Sequence, residues 1–193
     1  MKRAIEAALA AHEAKRIPDD DCDVRAAVAL ILSPVSNESG SAQALFVRRA
    51  EVPGDPWSGH VALPGGREDP EDSDLLDTAR RETFEETALR LDRADVLGRL
   101  DEIHPRSPHL PSVAVTPFVA WAEGPLHLTL NHELSGFLWI PVPELDSDRN
   151  RGTLTLDLPN PRMFPTIEFA GHTIWGMTWL IVRDFLSRLE AGP

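Results

Sequence analysis

Two periods of apolar spacing divide this chain into elements. The stretch MKRAIEAALAAHEAKR reads as an amphipathic helix within residues 1–17. After Pro18 and an acidic turn, VRAAVALIL (Val24 to Leu32) is a continuous β-rich run, the pattern of a buried strand, and QALFVRR reads as a second strand. Glu51 to Gly66, EVPGDPWSGHVALPGG, is so dense in proline and glycine that it must be mostly turn, with one short extended piece at Val61 to Leu63. A helix follows, with small or apolar residues at Leu76, Ala79, Thr83 and Thr87 forming a stripe for burial. Further strands are expected at DVLGRLDEI, VAVTPFVAWA, LHLTL, FLWIPV and GTLTLDL, with Pro-rich loops at HPRSPHLPS and LPNPRMFP. The spacing predicts a closing amphipathic helix over 173–191 that ends in a glycine stop. Helix, strands, helix, strands, helix is the order of a mixed α/β or α+β sandwich rather than a doubly wound repeat.

At 193 residues the chain has the length of one domain with a sizeable core, so residues 1–193 are expected to form a single domain. A net charge of −12 argues against unaided binding to nucleic acid or to an anionic membrane. Small anions remain acceptable substrates, because a divalent cation in an acidic cleft presents a local positive site. Cys22 is the only cysteine, so no internal disulfide is expected. Glu6, His12 and Glu13 interrupt the stretch where a signal peptide needs unbroken apolar residues, and no apolar run reaches the ~20 residues of a membrane span. The expected location is the cytoplasm. The apolar terminal helices would support a homodimer.

The chemistry concentrates in RRETFEETA, Arg80 to Ala88. At about 100° per residue, Glu82, Glu85 and Glu86 fall within roughly one 100° arc, with Thr78 a turn earlier on the same side. Spacing alone fits a solvated acidic face. The paired Gly65 and Gly66 upstream change the reading, since glycines let the backbone turn tightly and approach a ligand, and their carbonyls are hard oxygen donors like the carboxylates. Magnesium suits such a set, taking one or two protein carboxylates with waters and phosphate oxygens.

These residues resemble the box of the Nudix hydrolase family: a Gly, five residues, Glu, seven residues, then Arg-Glu-(apolar)-x-Glu-Glu-x-Gly-(apolar). The counterparts are Gly66 and Arg81-Glu82-Thr83-Phe84-Glu85-Glu86-Thr87-Ala88-Leu89. The interval from Gly66 to Arg81 is one residue longer, Thr83 replaces an apolar residue, Ala88 replaces glycine, and Asp72 or Ser73 stands nearest the family's first Glu. The resemblance implies an α/β/α sandwich with a mixed sheet. It implies Mg²⁺ or Mn²⁺ held by Glu82, Glu85, Glu86 and the Gly65 backbone, with Arg81 as the orienting residue. Arg81 is spaced to pair with Asp77 and Glu85. The implied reaction is hydrolysis of a small-molecule diphosphate by in-line attack of water. The general base is open among Glu86, Glu82 and an acid from a later loop, for which Glu133 is the candidate.

LFVRRA, WSGHVALPGG and the closing TIWGMT are similar in part to motifs of the coenzyme A pyrophosphatase subgroup. That makes coenzyme A or a related nucleoside diphosphate derivative the expected substrate. ADP-ribose, nucleotide sugars or nucleoside triphosphates are the alternative, and a catalytically silent nucleotide sensor is the reading of another class. Arg48 and Arg49 are candidate phosphate clamps, of which at most one faces the cleft because strand neighbours point to opposite faces. Trp57 either stacks on a base or packs on the sheet edge, His60 either touches a phosphate or caps, and Gly66 lets substrate approach the backbone. His104, Arg106 and His109 would belong to a substrate lid, and Trp139, Trp175, Met177 and Trp179 to the core.

Overall fold

The computed structural model describes residues 1–35, 40–55, 57–105, 112–124, 126–156 and 162–192. Strand β1 (Val24–Pro34) runs parallel to β6 (Val113–Trp121), the partner in the centre of the sheet. The other pairings are antiparallel: β2 (Ala42–Arg49) with the end of β1, β3 (Val61–Ala62) and β7 (Leu134–Pro141) with β2, β4 (Gly65–Arg67) with the start of β1, and β5 (Val96–Arg99) with β6. The result is a seven-stranded mixed sheet.

Its two faces follow from the two-residue period of β1 and β2. Leu30, Leu32, Ala44 and Phe46 point to one side, where helices α1 (Lys2–Ala10) and α4 (Gly176–Ala191) supply Ile5, Leu9, Ile181, Val182 and Phe185. Ala29, Ile31 and Leu45 point to the other, where they meet Leu89, Leu91 and Ala120 beside helix α2 (Leu75–Thr87). A one-turn helix α3 (Val142–Leu145) then leads to a second, three-stranded sheet of β8 (Arg151–Leu156), β9 (Arg162–Phe169) and β10 (His172–Ile174). Helices on both sides of a mixed sheet are the α/β/α sandwich expected from the sequence, within the α+β class. The apolar face of α1 is turned inward against β5 and α4. No helix among the described residues is long and apolar enough to cross a membrane.

Three expectations change. LHLTL (126–130) is not a strand: Leu126 and Leu128 pack on the α2-side core, and the backbone bonds the end of a helix, Thr129 N–H to the Thr87 carbonyl and Asn131 N–H to the Glu86 carbonyl. Those carbonyls have no partner within α2, so the segment caps the helix where a strand would have paired a neighbour. The last helix begins at Gly176, because Thr173 and Ile174 belong to β10, and the first stops at Ala10. Arg162 to Pro165, part of the expected Pro-rich loop, lie in β9; residues 158–161 of that loop are outside the described residues, as are Arg106 and His109.

Helix α2 is defined at both ends. The Asp74 carboxylate accepts the Asp77 N–H at its start, and Ala88, at φ 58°, ends it in the left-handed region with its N–H on the Phe84 carbonyl. An exposed Ala there carries a Cβ penalty that glycine lacks. Ala88→Gly is expected to stabilise the fold by about 0.5–1 kcal/mol, read as a higher urea midpoint with unchanged slope.

Candidate functional site

The site is built where β1 and β2 part. Leu63 and Pro64 cross between them from β3 to β4, and the Ala29 N–H donates to the Pro64 carbonyl. Gly65 then lies so close to β1 that a Cβ would stand 2.3 Å from the Ala27 carbonyl oxygen, at a φ of +148° that L side chains rarely adopt. Only glycine fits. Gly66 presses on α2 instead: a Cβ would meet the Glu82 carboxyl at 2.4–2.6 Å. Gly66→Ala is therefore expected to fold, since the end of a flexible side chain can move, but to push the Glu82 carboxylate away. A loss of at least tenfold in metal-dependent turnover, with near-native thermal stability, would show it.

The three carboxylates of α2 are graded by depth. Glu86 is buried at 5% exposure and accepts the Gly65 N–H at 3.0 Å. Its side chain therefore lies on the buried side of α2 with Thr83 and Thr87. Glu82 is partly buried and Glu85 more than half exposed. Burial pushes the Glu86 carboxyl up to about 7; the Gly65 N–H opposes this, and the charges of Glu82 and Glu133 add to it. Glu82 is also raised, first by burial, against the pull of Arg81 and with the charges of Glu85 and Glu133 adding.

Glu133 thus enters the field of both deep carboxylates although 47 residues separate it from Glu86 (133 − 86). It is held there by local chemistry. The Asn131 Oδ1 accepts the Glu133 N–H at 2.9 Å, and the Glu133 carbonyl accepts the Ala50 N–H at 2.7 Å. Arg49 lies on the same side, since its positive charge lowers the Glu86 value. A register shift between Arg48 and Arg49 in the β2–β7 pairing re-aims the two arginines. Arg48 pairs with exposed Glu51 at 3.0 Å, and Arg49 with Asp55 at 3.1 Å.

Arg81 is the hub of the helix. Its Nε and Nη2 donate to the two oxygens of Asp72, each at 2.9 Å, Nη2 also reaches the Arg67 carbonyl at 3.0 Å, and Nη1 donates to Glu82 at 2.9 Å and Glu85 at 3.3 Å. The expected pairing with Glu85 is present and that with Asp77 is not. Asp77 is taken by Arg80 and Arg93, while Asp72 offers Arg81 a bidentate carboxylate. Asp72, not Ser73, stands in the position of the first acid of the box, six residues after Gly66. Its carboxyl is held well below the ordinary range, mainly by Arg81, and it accepts the hydroxyl of buried Thr78 at 2.8 Å. Thr83, where the box has an apolar residue, is fully buried and its hydroxyl has no partner among the described residues.

Trp57 sits in the turn ahead of the glycines, its N–H on Asp55 and its carbonyl accepting the His60 N–H. His60 packs edge-on against Trp175 at 5.0 Å between ring centres, and burial lowers its imidazole value. His104 bonds Ser112 at 3.0 Å. Trp139 and Trp179 pack on the cores of the two faces. Sequence reasoning did not find Thr78, Asn131 or Asp55 as partners; the six-residue interval from Gly66 was the signal available for Asp72.

A mixed sheet between helices, with paired glycines pressed onto an acid-bearing helix, defines a class of α/β/α sandwich with carboxylates gathered at the β4–α2 junction. The sequence pattern of the NUDIX domain matches residues 24–158, and the chain belongs to the Nudix family. A Yersinia pestis (strain Pestoides F) protein described as an uncharacterized Nudix hydrolase, NudL, is 33% identical over 136 residues, which is 69% of this chain and 66% of the relative. The Yersinia pseudotuberculosis (serotype O:1b) NudL matches to the same extent, so the chain spans just under two thirds of these relatives. Among solved structures, a MutT/nudix family protein from Enterococcus faecalis superposes with a TM-score of 0.60 at 18% identity, covering 91% of this chain and 66% of that one. A C. elegans Ap4A hydrolase in a binary complex gives 0.55 at 18% identity, covering 87% of this chain and 98% of that one. At such identities the likeness is one of fold.

Proposed function

We propose that the protein is a Mg²⁺- or Mn²⁺-dependent pyrophosphohydrolase that cleaves the diphosphate of coenzyme A or a related nucleoside diphosphate derivative. The observation that carries this reading is the buried Glu86, with its carboxyl pushed up to about 7 beside Glu82 and Glu133 and with the Gly65 N–H as its one hydrogen bond among the described residues. Carboxylates crowded into a poorly solvated place fit a divalent cation, which supplies the missing opposite charge. Among the described residues no three acidic, histidine or cysteine side chains are grouped so as to hold a metal ion by themselves. Mg²⁺ does not need such a group, as it keeps waters and takes phosphate oxygens. Glu82, Glu85, Glu86 and the Gly65 carbonyl are the proposed ligands. When bound, the ion supplies Lewis-acid polarisation of phosphoryl oxygens and acidifies water for in-line attack.

The chain's own residues do the remaining work. Arg81, anchored by Asp72, sets where Glu82 and Glu85 stand. Proton acceptance from attacking water is assigned to one of Glu86, Glu82 and Glu133. Arg49, with Arg48 at the outer edge, is assigned to receive substrate phosphate, with Trp57 and His60 bordering the approach; the space beside Gly66, expected to admit substrate, is taken by the Glu82 carboxyl. The choice of coenzyme A rests on LFVRRA and WSGHVALPGG. The test is a substrate panel with and without Mg²⁺. Coenzyme A should yield 3′,5′-ADP and 4′-phosphopantetheine. Faster cleavage of ADP-ribose, a nucleotide sugar or a nucleoside triphosphate would replace the substrate, and no metal-dependent rate on any diphosphate would leave a ligand sensor.

A further inference from the structure

Arg49 is a cation beside a cleft whose other charges are mostly negative, and it is already spoken for. Its Nη2 donates to Asp55 Oδ2 at 3.1 Å, while its Nε is buried with no partner among the described residues. The other oxygen of Asp55 accepts the Trp57 N–H at 3.0 Å. One carboxylate therefore fixes both the arginine and the turn that brings Trp57 to the approach. Arg81, the other arginine near the carboxylates, is saturated by Asp72, Glu82 and Glu85. An incoming phosphate must share Arg49 with Asp55 or displace it.

We propose that Asp55 is a specificity-determining residue: by pairing with Arg49 it lowers the gain from added negative charge, and so sets how strongly coenzyme A, with its 3′-phosphate, is used relative to the dephospho form. This rests on the reading of Arg49 as a substrate anchor. Asp55 touches the anchor and not the reacting atoms, so its effect falls on KM and on the ranking of substrates by charge. Asparagine keeps one oxygen, which can hold the Trp57 N–H, and puts a non-accepting amide against Arg49, so that the charge and the Arg49 bond are lost together; glutamate keeps the charge while moving it.

The experiment compares wild type, Asp55→Asn and Asp55→Glu in two ways. Calorimetry without metal measures inorganic phosphate and pyrophosphate; Asp55→Asn should bind pyrophosphate about 3- to 10-fold tighter, the scale of one screened charge, with a smaller gain for phosphate and none in Asp55→Glu. Turnover with Mg²⁺ compares coenzyme A with its 3′-dephospho form. Asp55→Asn should shift kcat/KM at least threefold toward the more charged substrate, through KM, with kcat close to wild type. Equal changes for both substrates, or no gain in pyrophosphate affinity, would overturn the proposal and leave Asp55 as a support for the turn. Failure of every protein to hydrolyse any diphosphate would instead sink the functional reading, and the calorimetry would still decide on Asp55.

Discussion

Glu86→Gln is expected to lower metal-dependent turnover by at least about 100-fold while leaving the fold intact. The amide can still accept the Gly65 N–H, so the β4–α2 junction survives. What is lost is the negative charge that would grip a cation and accept a proton. Stability gives a second readout of known sign. Glu86 has an ordinary value of 4.5 and a folded value of about 7. Between those two values the folded protein binds more protons than the unfolded one, so stability falls as pH rises from about 4.5 to 7 and stays lower above. Without metal, wild type should therefore lose more thermal stability between pH 5 and pH 8 than Glu86→Gln; groups common to both proteins cancel in the difference. Mg²⁺ at pH 8 should raise the melting temperature of wild type and do so less for the variant. Near-normal turnover in Glu86→Gln would remove the residue from the site.

Which parts of this arrangement can be read from sequence depends on how far apart the cooperating residues lie. The continuous apolar run of β1 and the stripe of helix α2 are local signals and lie where the pattern places them, while Gly65 and Gly66, expected in a turn, begin strand β4. Glu82, Glu85 and Glu86 share one stretch of helix, but their different depths depend on β4 pressing against α2. The strand pattern of LHLTL is real and its leucines are used in the core; its backbone meets a helix end because no strand edge is offered there. Strand β9 is hidden by Pro165 within it and the prolines before it, and only pairing to β8 and β10 makes it a strand. Asp55 on Arg49, and Glu133 beside Glu86, arise from a bulge and an Asn131 turn. The first leaves no signal in the sequence, and the second is offered only by resemblance, through Glu133 as the later acid.

Asp72→Ala should injure both stability and activity, because Asp72 bears on the acidic helix through Arg81 rather than by touching substrate. Its side chain is only 5% exposed and holds Arg81 through two oxygens, with Thr78 donating from beneath. Alanine leaves the Thr78 hydroxyl with only the Asp74 carbonyl at 3.5 Å and Arg81 with its Nε unpaired. Removing one partner of a fully buried pair costs about 3–5 kcal/mol, and the 30% exposure of Arg81 lowers the expectation here to about 2 kcal/mol. The acid dependence has a definite sign. Asp72 is depressed below its ordinary 3.8, so its contribution is fully present above that value and is lost as pH falls through and below it. Urea unfolding should show a gap between wild type and Asp72→Ala at pH 7 that narrows toward pH 3. Freed from Asp72, Arg81 can follow Glu82 and Glu85 into solvent, so the metal concentration for half-maximal turnover should rise severalfold. Asp72→Glu should recover part of both effects by restoring a carboxylate to Arg81. A variant as stable and active as wild type would show that Arg81 needs no anchor and that Glu82 and Glu85 are placed by α2 alone.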